Sequence, residues 1–307
     1  MQTDVISTHS SPECSPPRLV EEYKLLVIYF HGVSCMGKSE LLKRLSAKFH
    51  EKGIPSKKVS LDKIAKGIMD EYKTKNNYQG EEAFTLCMAP IFDSFHQRII
   101  DAAVEMRGSH GVLMVDDCSL DLKFMKRLVD KAENIQFKVK FFKLYPEPHE
   151  GLKVHNELHI NLSFQFVLNL CYRALNRGFH HTFNYCPEKK LQLVLSFVRV
   201  YELKLDAHTS SDYGLNEDNH ALMEIEFHHE KDLNIQSPSI KAILKLLKTC
   251  LQNIVPFESP VVTARDDLRR LVDAINAAPA DEIKHLLSYG RSEIWETKFE
   301  ALYQFFL

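Results

Sequence analysis

The run Leu25-Leu26-Val27-Ile28-Tyr29-Phe30 is apolar at every position, with no polar residue alternating into it. Such a pattern predicts a strand buried on both faces, as in the middle of a parallel sheet. From Lys38 to about Lys52 the period becomes helical, with Leu41, Leu42, Leu45 and Phe49 on one face and Gly53-Ile54-Pro55 closing the element. A second short strand is predicted at Lys57-Lys58-Val59-Ser60-Leu61, and Asp62 opens a further helical stretch through Ile64, Ala65, Ile68, Met69 and Tyr72. After a polar break from Thr74 to Gly80 comes a long helical segment, about Glu81 to Arg107. Gly108-Ser109-His110-Gly111 is a turn, and Val112-Leu113-Met114-Val115 is another doubly buried strand, ending in Asp116-Asp117. A helix over roughly Leu120 to Glu133 and a strand over Phe137–Tyr145 complete the first half. Strands alternating with helices imply right-handed crossovers and a parallel sheet.

The second half is less regular. Leu158 to about Gly178 has helical spacing. Leu191–Leu205 is rich in Val, Leu, Phe and Tyr and reads as one or two strands. Asp206–Asn219 is loop-like, Ala221–Phe227 is a candidate strand, and Ile240–Leu251 is helical. Thr263-Ala264-Arg265-Asp266 resembles a capping box before Leu268, Leu271, Val272 and Ile275, and Pro279 ends that helix. Two more helices are expected, one around Ile283, Leu286 and Leu287 and one over Ile294 to Phe306. The expected organisation is a leader over 1–20, a nucleotide-binding α/β core over 21–150, and an α+β or helical extension over 151–307 that carries a lid and the substrate or partner region.

Composition narrows the class. With 45% hydrophobic and 26% charged residues the 307-residue chain has the balance of a globular protein that buries a sizeable core. A formal net charge of −2 supplies no global basic field for nucleic acid or anionic membrane. Seven cysteines with no C-x-x-C pair argue against a disulfide framework or a zinc ribbon and fit a reducing compartment, so a cytoplasmic location is expected. No apolar run approaches the ~18 residues of a membrane span. Met1 to Arg18, with Ser10-Ser11-Pro12 and Ser15-Pro16-Pro17, lacks the basic start and apolar centre of a signal peptide and is expected to be a disordered leader.

The candidate chemistry lies in the first half. Gly32-Val33-Ser34-Cys35-Met36-Gly37-Lys38-Ser39 matches G-x-x-x-x-G-K-S, between a predicted strand and a predicted helix. Chemistry asks for that order. The strand anchors one end of the loop, and the glycines let successive N–H groups and the helix N-terminus point at phosphate oxygens. Lys38 then reaches the β- and γ-phosphates, and the Ser39 hydroxyl binds Mg²⁺. A turn that merely caps a helix is the competing reading, and the strand-loop-helix context disfavours it.

Three further groups fall at the carboxyl ends of predicted strands, or could reach them. A carboxylate at Asp116 or Asp117 can hold the metal, against the alternative that Asp117 is a helix N-cap. Asp62 can take a proton from an acceptor hydroxyl, or equally can cap the helix it opens. Arg173 and Arg177, four apart on a candidate helix, share a face and could neutralise charge on a transferring phosphoryl group, although a solvated basic face is the commoner meaning of such a pair. His155 and His159 are also four apart, but the intervening Glu157 is one place late for a zinc-protease pattern. His180-His181-Thr182 and His208-Thr209-Ser210 only faintly echo paired His-x-Thr/Ser phosphoesterase elements, and are read as chance. Cys35, inside the phosphate loop, could be oxidised or alkylated and so block nucleotide, the competing reading being an ordinary small residue.

On the phosphate loop, the Leu61-Asp62 after strand two and the apolar run ending in Asp116-Asp117, the stretch from Leu25 to Tyr145 resembles the P-loop kinase group. That group includes polynucleotide kinases, zeta toxins, seryl-tRNA kinases and the Elongator-associated ATPase family. The resemblance implies a P-loop NTPase sheet with ATP and Mg²⁺ as cofactors. It also implies triphosphate binding by Gly32 to Ser39, Asp62 as substrate-side base and Asp116 or Asp117 as metal-side acid. Those families usually place a lid arginine pair soon after the fourth strand, whereas no arginine occurs here between Arg127 and Arg173. Either the lid has moved to Arg173 and Arg177, or Lys153 substitutes, or transfer is impaired. The resemblance stops near residue 150.

Two functions are therefore expected to compete. One is an ATP-dependent kinase moving the γ-phosphate to a hydroxyl of a nucleotide, an RNA end or a small metabolite. The other is a nucleotide-switched ATPase that acts on a protein partner through residues 151–307. A regulatory GTPase is disfavoured by the absence of an N-K-x-D motif, and by Asp116-Asp117-Cys118-Ser119 in place of D-x-x-G.

Overall fold

The computed structural model describes residues 25–76, 81–117, 121–135, 137–146, 164–177, 186–207, 220–225, 237–254 and 262–283. Five strands, β1 (Leu25–His31), β2 (Ser56–Ser60), β3 (Gly111–Asp116), β4 (Lys138–Pro146) and β5 (His220–Ile225), form one sheet in the order β2-β3-β1-β4-β5. Every pairing is parallel. Helices α1 (Lys38–Glu51), α2 (Leu61–Asn76), α3 (Glu81–Glu105), α4 (Leu122–Ile135), α5 (Phe164–Asn176), α6 (Pro187–Ala207), α7 (Pro238–Asn253), α8 (Val262–Ala277) and the single turn α9 (Ala280–Ile283) supply the flanks. This is the expected α/β class, a parallel sheet with flanking helices.

The two uninterrupted apolar runs occupy the middle of the sheet. All residues of β1 and β3 are buried, because crossover helices cover both faces. The connection leaving β1 runs towards β2, whereas those leaving its neighbours β3 and β4 run the other way. The carboxyl end of β1 therefore lies where the strand order reverses, which is where open parallel sheets form a ligand crevice.

Local signals explain the element ends. Helix α1 stops in a Schellman arrangement: Ile54 N–H donates to the Phe49 carbonyl at 2.8 Å and Gly53 N–H to His50 at 3.0 Å, with Gly53 left-handed at φ 69°. At the start of β3, a Cβ on Gly111 would come 2.5 Å from the Pro55 carbonyl oxygen, so the close approach of the segment before β2 requires glycine. The Asp121 carboxylate accepts from the Phe124 N–H at 2.9 Å and caps α4, a role the sequence offered to Asp117.

Residues Leu191–Leu205, expected as strand, lie in helix α6. The reason is their spacing. Leu191, Val194, Leu195 and Val198 are all buried, at helical intervals, and that stripe outweighs the β-propensity of the valines and aromatics. Residues 221–225 of the expected strand Ala221–Phe227 lie in β5, the last two falling outside the described residues, so the sheet takes its fifth strand from the second half of the chain. Buried side chains of α5, α6, α7 and α8 belong to the same apolar core as β1, β3 and α1. Helix α8 begins at Val262, one residue ahead of Thr263. The leader, Lys153, the histidines at 155, 159, 180, 181 and 208, and the expected last helix over Ile294 to Phe306 lie outside the described residues.

Candidate phosphate-binding site

The segment from Gly32 to Ser39 leaves β1 at its carboxyl end and enters α1. Its curvature needs positive φ at three points: Gly32 has φ 153°, Cys35 has φ 69°, and Gly37, which caps α1, has φ 96°. A non-glycine residue at positive φ costs about 1 kcal/mol or more, and such strain gathers where a loop's shape serves a purpose. Val33, Ser34 and Met36 are buried, so the loop packs down onto the core instead of standing off it.

Inside the loop, buried Lys38 donates from Nζ to the Gly32 carbonyl at 2.7 Å and the Val33 carbonyl at 2.9 Å. The ammonium is thus held across the loop's opening. The Ser34 hydroxyl is buried and finds no hydrogen-bond partner among the described residues. A buried hydroxyl of this kind is costly unless something accepts from it or donates to it. At the start of α1 the first N–H groups have no carbonyl one turn back. An orphaned hydroxyl, a helix N-terminus and a buried ammonium in one loop are suited to an anion.

The pair Asp116-Asp117 is separated by the strand's alternation. The Ser39 hydroxyl donates to Asp116 Oδ1 at 3.1 Å, linking the first turn of α1 to the end of β3. Asp117 is turned elsewhere: the buried Tyr29 phenol donates to its Oδ2 at 2.6 Å. Tyr29 in turn packs against Phe124 and Phe141, with ring centroids 6.5 and 5.5 Å away. Asp116 therefore shares a locus with the loop, and Asp117 is bound to the aromatic core beside β1. Asp62 is half-buried in the first turn of α2, two residues past Ser60, which lies in register with Asp116.

The arginines come from a distant part of the chain. Arg173 Nη1 donates to the Cys35 carbonyl at 3.3 Å, and Arg177 hydrogen-bonds the Cys35 thiol. Arg173 reaches the loop from the last turn of α5 and Arg177 from the residue just past its end, so the pair does not share one helix face as its spacing suggested; Phe166, Val167, Leu170, Cys171 and Ala174 hold the other side of α5 in the core. Burial pushes the Cys35 thiol above its ordinary range, and the charges of Arg177, Lys38 and Arg173 pull part of the way back.

One charged neighbour has no counterpart in the sequence reading. Lys58 Nζ lies 2.5 Å from Asp116 Oδ2. The adjacent Lys57 points to the other face, where it pairs with Glu105. Alternation along β2 says that Lys57 and Lys58 face opposite ways, but which one meets the acid depends on the β2–β3 register.

Among the described residues no cluster of three or more His, Cys, Asp or Glu side chains could hold a metal ion. Ser39 and Asp116 are only two ligating side chains, which fits a cation that takes its other ligands from phosphates and water, as Mg²⁺ does. No helix among the described residues is long and apolar enough to cross a membrane. Compared with known proteins, the chain matches no family model and no curated protein.

Proposed function

We propose that the chain is a P-loop NTPase-fold phosphotransferase that binds ATP with Mg²⁺ at Gly32–Ser39 and moves the γ-phosphate to a hydroxyl of a nucleotide, an RNA end or a small metabolite. The observation that carries the reading is the Ser39–Asp116 hydrogen bond of 3.1 Å. It joins the hydroxyl of G-x-x-x-x-G-K-S to the acid at the end of the neighbouring strand, the two groups that together position a nucleotide-bound Mg²⁺. Bound Mg²⁺ would neutralise charge on the β- and γ-phosphates. Lys38 would shift from the loop carbonyls to the phosphates, and Ser34 would donate its otherwise unused hydroxyl.

The arginines favour transfer over a slow switch. A displaced lid, Lys153 as a substitute and impaired transfer are the three alternatives. The contacts of Arg173 and Arg177 with Cys35 support the first. Two guanidinium groups beside the phosphate loop would stabilise charge that builds up during phosphoryl transfer. Asp62, at the same sheet edge, is the candidate acceptor-side base.

The test is turnover of γ-labelled ATP with Mg²⁺ by wild type and Lys38→Ala, over RNA and DNA 5′-ends, tRNA, nucleosides and sugar nucleotides. The expected result is Lys38-dependent label on one acceptor class, abolished by Asp62→Asn with ATP binding spared. Lys38-dependent phosphate release without a labelled acceptor would instead support the ATPase switch. Absence of ATP binding would refute both.

A further inference from the structure

Lys58 deepens this reading and rests on it. The Asp116 carboxylate has two oxygens and both are engaged: Oδ1 by the Ser39 hydroxyl at 3.1 Å, Oδ2 by the Lys58 ammonium at 2.5 Å. The acid is nearly closed to solvent, its side chain 8% exposed, whereas the Lys58 side chain is 28% exposed. A carboxylate that deep needs a positive partner, since an uncompensated charge there is costly. The lysine supplies it from outside the loop, from edge strand β2, on a flexible stem whose head has a route to water.

We propose that Lys58 is an internal counter-cation for Asp116, a positioning residue that competes with the nucleotide-bound divalent cation for the carboxylate and sets how strongly nucleotide binding depends on that cation. Two effects act with the same sign. The ammonium occupies Oδ2 directly, and its charge lowers the affinity of the neighbourhood for any second cation. When a divalent ion approaches Asp116, Lys58 must leave Oδ2, and its partial exposure lets it do so without remaining buried and unpaired. Without the divalent ion, Lys58 has the opposite role: it neutralises an acid that would otherwise repel the phosphate chain.

A merely structural lysine would not produce that split. Its loss would weaken binding by the same factor with and without metal. A competing lysine moves the two conditions apart, and the size of the separation follows from a charge-assisted hydrogen bond, about tenfold.

The experiment is calorimetric titration of a non-hydrolysable ATP analogue into wild type, Lys58→Met and Lys58→Arg, each with and without Mg²⁺, reading the ratio of the two dissociation constants. Lys58→Met is expected to weaken metal-free binding and to raise the Mg²⁺ dependence about tenfold. Lys58→Arg is expected to lower the dependence below wild type, because a guanidinium can grip both carboxylate oxygens. This second arm remains informative if the methionine variant fails to fold. A ratio unmoved in the folded variants, or moved in the same direction by Met and Arg, overturns the inference while leaving nucleotide binding intact. A wild type that binds no analogue refutes the nucleotide reading and this inference with it.

Discussion

Replacing Arg173 by methionine separates a group held ready for chemistry from one that merely ties α5 to the loop. In the structure its Nη1 donates to the Cys35 carbonyl at 3.3 Å, the long end of the hydrogen-bond range, from a half-buried position. Loss of that bond costs the fold about 0.5–1 kcal/mol. For a chain of this size the unfolding midpoint should fall by only about 2 °C. On the proposed phosphotransferase reading, the expected effect on turnover is larger. A guanidinium about 4 Å from one unit of developing charge, at an effective dielectric near 20, contributes about 4 kcal/mol. Solvent at a half-buried site reduces that to about 2–3 kcal/mol, or roughly 30- to 150-fold in rate. The assay is steady-state turnover of γ-labelled ATP beside a thermal melt, for Arg173→Met and Arg173→Lys. The expected result is a fall in kcat of that order, a nearly unchanged KM for ATP, and partial recovery with lysine. A kcat within about threefold of wild type would refute the reasoning. So would activity and melting point collapsing together, since the arginine would then act by holding the fold.

Other outcomes follow from the same contacts. Tyr29→Phe removes a donor from the buried Asp117 carboxylate and should cost about 2 kcal/mol in urea denaturation, with ATP affinity little changed because Asp116 is untouched. Leu195→Ala, in the helix that propensity disguised as strand, should cost about 2–5 kcal/mol, against a negligible change if the side chain were exposed on an edge. Alkylation of Cys35 should be slower than that of the exposed Cys186, and slower still in Arg177→Ala, which removes a charge that pulls the thiol down; faster labelling of that variant would contradict the assignment. His96, stacked on Phe124 with ring centroids 3.7 Å apart, has its pKa lowered by burial, partly offset by Asp121. Its folded-state value lies below the ordinary 6.5, so its contribution is present above pH 6.5 and lost as pH falls from there through the lower folded value. Stability measured from about pH 7.5 down to about pH 5 should therefore decline, and His96→Phe should flatten that slope.

The candidate site is legible in the sequence to different depths, and the depth follows the range of the interaction concerned. The loop from Gly32 to Ser39 is a local object: strand, turn and helix are contiguous, so their residue types and spacing are enough to locate it. The same holds for the doubly buried runs of β1 and β3, for the end of α1 at Gly53, and for the amphipathic face of Leu41, Leu42, Leu45 and Phe49. Helix α6 misled because valine and aromatic content points one way and the positions of Leu191, Val194, Leu195 and Val198 the other. Periodicity reports what is buried, and burial outweighs propensity.

Sequence alone thus determined a parallel α/β arrangement, a phosphate-loop pattern at its first strand, and acids at the ends of two others. Tertiary structure decided which of those acids meets the loop. Asp116 and Asp117 are adjacent and chemically identical, and only strand alternation with β1 packed alongside sends one to Ser39 and the other to Tyr29. It also decided that Arg173, 138 positions from Cys35, belongs to the loop, and that Lys58 rather than Lys57 faces Asp116. Hydrophobic periodicity is a one-dimensional record of burial. Partners among charged groups depend on sheet register and helix docking, which the whole core sets together and no short window of sequence encodes.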